Sequence, residues 1–174
     1  ADLICRKLVE LGQPALKEIS EYFSDNILDK TRRLDRKKLA QVIFNDPYKK
    51  KILENILHPK VFAFEKEEYK KIYKKNPNAL VIIDAALLIE SGNYKNMDKV
   101  VVVNTDEKTQ IERILARGLW RKHEIISRIN NQMSNKEKTK YADFILENTS
   151  DKLQLRKQIE GLYAKLAILA AKND

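Results

Sequence analysis

The chain runs to 174 residues and carries 34 Lys and Arg against 25 Asp and Glu, a formal net charge of +9, with 43% hydrophobic and 34% charged residues. That length suits one domain, or one domain with a small insertion, and the basic balance points to an anionic partner (nucleic acid, anionic membrane, phosphorylated small molecule) or simply to a lysine-rich solvated surface. A single cysteine excludes an internal disulfide framework, His58 and His123 lie too far apart to suggest a metal cluster, and no apolar run reaches membrane-spanning length, so a cytoplasmic location is expected.

Apolar residues at 3, 4, 8 and 11 form a helical stripe over residues 2–11. Cys5 falls among Leu3, Ile4, Leu8 and Val9, which suits a small core residue better than a nucleophile. Gly12 ends this helix, and Pro14 opens the next, which runs to about Phe23. Residues 24–33 are polar and turn-like. Asp35 can cap a helix carrying Leu39, Val42 and Ile43, and Asp46-Pro47 opens another carrying Ile52, Leu53, Ile56 and Leu57. His58-Pro59 is expected to break or kink that pattern. A long charged helix over 61–75 follows, with Tyr69 and Tyr73 as its buried stripe and its lysines as the wet face, a reading preferred to nucleic-acid stacking.

The character then changes. Residues 79–84, 98–104 and 142–148 are short apolar runs, read as strands buried on both faces in a parallel sheet. Each ends in a polar residue, Asp84, Asn104 or Asn148, and the carboxyl edge of such a sheet is where ligands bind. Helices are expected from Thr105, over 122–133, and over 151–171.

Asp84, at the end of an apolar run, suits a Walker-B-type carboxylate that holds Mg²⁺ directly or through water; it suits equally an N-cap for the turn that follows. Gln110, Arg113 and Arg117 are spaced to share one helical face, and Arg121, Arg128 and Gln132 continue the theme beyond Gly118. Guanidiniums so spaced suit phosphate oxygens, or surface salt bridges with Glu112 and other nearby acids. His58 is either a satisfied structural residue or a substrate contact. The four glycines are isolated, and no glycine-rich phosphate loop can be written in these residues.

Five segments in order resemble the dephospho-CoA kinase family. ADLICRKLVELGQPALKEISEYF is similar to its D-A-D-x-hydrophobic-x-R…G-x-P-x-L segment. LDRKKLAQVIFNDPYKKKILENILHPKV, the most specific, matches L-D-R-x-x-L…V-F-x-D followed by L…I-x-H-P. VIIDAALLIESG resembles D-x-P-L-L-hydrophobic-E, with Ala86 in place of the usual proline. VVVVNTDEKTQIERILAR matches the strand and Q-x-x-R helix, and NNQMSNKEKTKYADFILEN matches the closing Q-x-x…K…A-D element.

The resemblance implies an α/β P-loop kinase fold: a three-layer α/β/α domain around a parallel sheet, five-stranded in the complete protein. It implies a single kinase domain over 1–174, with a helical acceptor insertion at 12–75, core segments at 79–117 and 140–174, and a lid at 118–133. The implied reaction is ATP-dependent phosphorylation of the ribose 3′-hydroxyl of dephospho-CoA. Asp84 would assist Mg²⁺, and Arg113, Arg117 and Arg128 would contact nucleotide or transferring phosphate. Asp2, Arg36, His58, Leu87 and Leu88 would shape the acceptor site, and Asn148 would neighbour adenine. The implied partners are these two small molecules, with no nucleic acid or membrane, and the protein is expected to be a monomer. Family members open with a strand, a Gly-rich loop ending in Lys-Ser/Thr, a helix and a second strand, about thirty residues without a counterpart here; the first Asp of D-A-D would also precede Ala1. A chain cut from a longer protein is therefore expected, rather than an inactive remnant, and residues 1–174 alone are expected to be inactive. The alternatives are another nucleoside- or nucleotide-directed P-loop kinase, against which residues 34–58 argue, and a non-catalytic basic binding module.

Overall fold

Local signals set the helices of the first half. In the structure, a computed structural model that describes residues 1–44 and 46–171, the helices are α1 (Asp2–Leu8), α2 (Pro14–Phe23), α3 (Arg36–Phe44) and α4 (Pro47–Lys75). Pro14 and Pro47 sit in first turns, where the missing N–H is harmless. Asp35 accepts the Lys37 and Lys38 amides at 3.0 and 3.1 Å, and Asp46 accepts that of Lys49 at 3.0 Å. Such caps are worth about 1 kcal/mol each. The first helix stops at Leu8, short of the expected Leu11, and Gly12 takes a left-handed φ of 85° in the turn that follows.

These helices form the compact unit Ala1–Ala85. Its core joins Val9, Ala15, Leu16, Ile19, Phe23, Ile27, Leu28 and Leu39, with Ile52, Leu53, Ile56 and Leu57 of α4 packed against them. Ile19 and Ile27 are essentially inaccessible, each worth about 1.5–3 kcal/mol over an exposed position.

Two expectations fail in this unit. Of the break or kink expected at His58-Pro59, the break does not occur: α4 runs unbroken for 29 residues. Apolar residues on both sides of Pro59, Ile56 and Val61, pack inside the unit, and that burial outweighs the roughly 3 kcal/mol cost of an interior proline. The Lys60 ammonium, donating to the Ile56 carbonyl at 3.2 Å, supplies a hydrogen bond in the disturbed turn. Tyr69 and Tyr73 do stack, with centroids 6.0 Å apart, but are 42% and 51% exposed and so form no buried stripe. All of residues 66–75 are exposed.

The second compact unit, Ala86–Asp174, is built on β1 (Val101–Asn104) and β2 (Phe144–Glu147). They pair in parallel, Val101 opposite Phe144 and Asn104 opposite Glu147. A parallel pair needs a long crossover, here carrying α5 (Glu107–Leu115), α6 (Lys122–Asn130) and α7 (Asn135–Lys138); α8 (Lys152–Ala170) follows β2. Asp143 pins the start of the pair, accepting the Val100 N–H at 2.8 Å and the Lys99 ammonium at 3.0 Å. At the far end of β2 the Gln158 amide on α8 bonds both backbone groups of Glu147, each at 2.9 Å. Ile89, Val100 and Val102 form the core, with Leu88, Tyr94, Met97, Met133 and Ala142 against them.

The expected strand at 79–84 is absent as a strand: the segment joins no ladder among the described residues, and Ile82 is 78% exposed. A strand exists only beside a partner, and none of the described residues lines up with this run. Nor are β1 and β2 buried on both faces. Val102 and Leu146 are buried while Val103 and Ile145 are about half exposed, because two strands offer little sheet to cover.

Candidate active site

The expected site residues divide between the two units. In the first, Asp2 begins α1 and is exposed, and the backbone nitrogen of the neighbouring Ala1 donates to the Asp84 carbonyl at 2.8 Å. The fold thus brings Asp2 beside Asp84 in the chain's extended run. Asp84 itself is exposed, so its carboxylate is open to a ligand. Arg36 opens α3 and is exposed. His58 lies midway along α4, partly buried and stacked on Phe62 with centroids 5.7 Å apart. Burial pushes its pKa below the ordinary imidazole value, against the pull of Glu54, so it is neutral at physiological pH.

In the second unit, Leu87 and Leu88 lie in the turn over residues 86–92. Leu88 packs against the Ile89–Val100–Val102 core, while Leu87 is 36% exposed. At the carboxyl end of the sheet the Asn148 N–H donates to the Asn104 carbonyl at 2.8 Å. The Asn104 side-chain amide reaches both carboxylate oxygens of Glu147, at 3.0 and 3.1 Å. Arg113 reaches over from α5, donating to the Asn148 carbonyl at 2.6 Å and to the Ser150 carbonyl at 3.2 Å. These bonds bring Arg113 and Asn148 together and use two of the five guanidinium protons.

Arg117 does not share a helical face with Arg113, as the spacing suggests. Helix α5 ends at Leu115, and Arg117 sits exposed in the turn that closes at Gly118, whose φ of 68° is left-handed. Arg128, on α6, lays its guanidinium over the Trp120 ring, 3.7 Å from the centroid. An open recess between α5 and α6, lined by Glu107, Lys108, Ile111, Glu112, Leu115 and Lys122, contains none of the expected site residues.

Sequence reasoning missed Trp120 and Lys138. The first is the chain's one tryptophan, set among arginines, which was a usable signal. The second bonds residues some fifty positions away, and no local pattern announces that. For a cation, the described residues hold no cluster of three or more His, Cys, Asp or Glu. A lone exposed carboxylate such as Asp84 nevertheless fits Mg²⁺, which takes one or two carboxylates together with waters and substrate phosphates.

Comparison with known proteins bears on this arrangement. A family model described as dephospho-CoA kinase matches residues 1–154. The chain is similar to the dephospho-CoA kinase of Lactobacillus johnsonii, 34% identical over 95% of this chain and 83% of the relative. It is also similar to a dephospho-CoA kinase of Bacillus cereus, 36% identical over 97% of this chain and 84% of the relative. Among solved structures, dephospho-CoA kinase from Campylobacter jejuni superposes with a TM-score of 0.67 at 32% identity, covering 95% of this chain and 82% of that one. TT1252 from Thermus thermophilus does so with a TM-score of 0.75 at 27% identity, with the same coverage.

Proposed function

The chain belongs to the dephospho-CoA kinase family, a phosphotransferase that moves a phosphoryl group from ATP to dephospho-CoA, and on that premise we propose how its residues divide the work. Asp84 holds Mg²⁺, directly or through water; when bound, the cation offsets charge on the phosphate oxygens. Arg117 and Arg128 meet the transferring phosphoryl group, where fixed planar donors serve charge that spreads over its oxygens. Arg113, with three guanidinium protons still available, meets the nucleotide from the carboxyl edge of the sheet, and Asn148 lies near adenine. Asp2, Arg36, neutral His58, Leu87 and Leu88 shape the acceptor site that receives the ribose 3′-hydroxyl.

The finer architecture belongs to the same reading: a five-stranded sheet in a three-layer α/β/α P-loop fold, a helical acceptor insertion over 12–75 and a lid over 118–133. So do a cytoplasmic location, a monomeric state and the absence of a nucleic-acid partner. No helix among the described residues is long and apolar enough to cross a membrane. The observation that carries the site reading is the parallel β1–β2 pair, whose carboxyl ends gather Asn104, Asn148 and the Arg113 fork in the place where such sheets bind ligands.

The test is turnover by the full-length protein with ATP, Mg²⁺ and dephospho-CoA, with the product's phosphate located by phosphorus NMR. Phosphate on the ribose 3′-oxygen is expected; transfer to a nucleoside acceptor in preference to dephospho-CoA would overturn the reading. Residues 1–174 alone contain no phosphate-cradling glycine loop, and no turnover is expected from this stretch expressed by itself.

A further inference from the structure

We infer that Lys138 is a positioning residue for the acceptor loop, a two-point clamp on the turn that carries Leu87 and Leu88; the inference rests on the acceptor-site reading of those leucines. Its ammonium donates to the Ala86 carbonyl at 3.0 Å and pairs with Glu90 Oε1 at 3.0 Å. One cation thereby grips the turn over residues 86–92 at two points four residues apart, Ala86 at its start and Glu90 towards its end. Glu90 Oε1 also accepts the Met133 N–H at 3.1 Å, so the carboxylate is shared between the clamp and the segment leading into α7.

The base that carries the clamp is itself fastened. Ser134 and Glu137 cap α7 reciprocally: the Ser134 hydroxyl accepts the Glu137 N–H at 3.2 Å, and the Glu137 carboxylate accepts the Ser134 N–H at 3.1 Å. Asn135 donates to the Thr105 carbonyl, just beyond β1, at 2.9 Å. Helix α7 therefore ties the carboxyl end of the sheet to the 86–92 turn, and Lys138, its last residue, makes the second knot. The Lys138 and Glu90 side chains are only 14% and 22% exposed, so the pair is screened less than a surface ion pair. A backbone carbonyl and a carboxylate, both satisfied by one ammonium, hold the turn more narrowly than either bond alone. Leu88 is fixed below by the Ile89–Val100–Val102 core. Leu87, on the exposed side, depends on the turn's backbone for its direction.

Lys138→Met in the full-length protein keeps most of the alkyl stem and removes the charge and the donors. Two readouts are taken together: KM for dephospho-CoA and for ATP, and hydrogen exchange at the Ser91 and Gly92 amides, which bond the Leu87 and Ile89 carbonyls at 2.9 and 3.0 Å. The expected result is faster exchange at both amides, a rise of about tenfold in KM for dephospho-CoA, an ATP KM within about twofold, and recovery of the exchange rates and of the dephospho-CoA KM in Lys138→Arg. Unchanged exchange would show that no clamp exists. Faster exchange with an unmoved dephospho-CoA KM, or an equal rise in both KM values, would overturn the positioning role. Leu87→Ser, run alongside, separates the two layers of the argument. If the acceptor-loop reading is wrong, Leu87→Ser leaves KM for dephospho-CoA unmoved, and the positioning role falls with it. If only the clamp is wrong, Leu87→Ser raises that KM while Lys138→Met changes nothing.

Discussion

At the scale of single residues, the sharpest contrast is between two chemical roles for one carboxylate. Asp84→Asn keeps size and most of the hydrogen bonding and removes charge. If Asp84 supports Mg²⁺, turnover of the full-length protein falls by a large factor at saturating ATP and Mg²⁺, with little change in Tm. An N-cap role predicts near-normal turnover, since Asn caps as well as Asp. Arg128 offers a second contrast. Its guanidinium is stacked on Trp120, a contact worth about 0.5–1 kcal/mol at an exposed site. Arg128→Lys and Arg117→Lys keep the charge and lose the planar fork. Loss of a charge-assisted bond in the transition state costs about 1.5–3 kcal/mol, a tenfold to hundredfold drop in rate. Steady-state kinetics with both substrates varied check this, and unchanged constants in both variants would remove these arginines from the reaction.

At the scale of elements, Asp143 governs how the parallel pair begins. The Val100 N–H and then the Lys99 ammonium hold its carboxyl below the usual aspartate range. A folded-state pKa lowered in this way contributes stability above the unfolded value, about 4, and loses it as pH falls through the folded value. Thermal melts across the acid range are expected to show Asp143→Asn with the lower Tm at neutral pH, and the gap closing towards strong acid as the wild-type carboxyl protonates. A gap that stays constant through the acid limb would contradict the assignment. What the sequence disclosed at this scale follows from the range of the interactions. The Asp35, Asp46 and Asp151 caps act within three residues, and the helices they open lie within a residue or two of their expected starts. The β1 and β2 segments were legible as short continuous apolar runs, that of β1 rich in β-branched valine. The 79–84 run carries the same apolar signal, but a strand is a property of two segments, and its partner is not read from its own residues. Pro59 misled for a related reason: the local penalty was visible, whereas the packing that overrides it was not. Of the site, Arg113 beside Asn148 was within reach of motif reading, while the Lys138 clamp spans too much sequence to be seen.

At the scale of the whole molecule, charge and apolar exposure pull in opposite directions. A net charge of +9 keeps copies apart, while Ile82, Val103, Ile145 and Tyr163 present large apolar surfaces. One small device bears on the outcome. The Gln158 amide occupies the outer rim of β2 at Glu147, donating to its carbonyl and accepting its N–H as another strand would. An open strand rim is a template on which a second copy can lay its own backbone, the route by which sheets grow from molecule to molecule. A side chain that imitates a neighbouring strand takes the Glu147 backbone groups out of that template. Gln158→Ala is expected to keep the fold and to scatter more light with time and concentration at raised salt, where charge repulsion is screened; scattering identical to wild type would mean the rim is guarded elsewhere. Colloidal behaviour in this protein would then hang on one amide that takes no part in the chemistry.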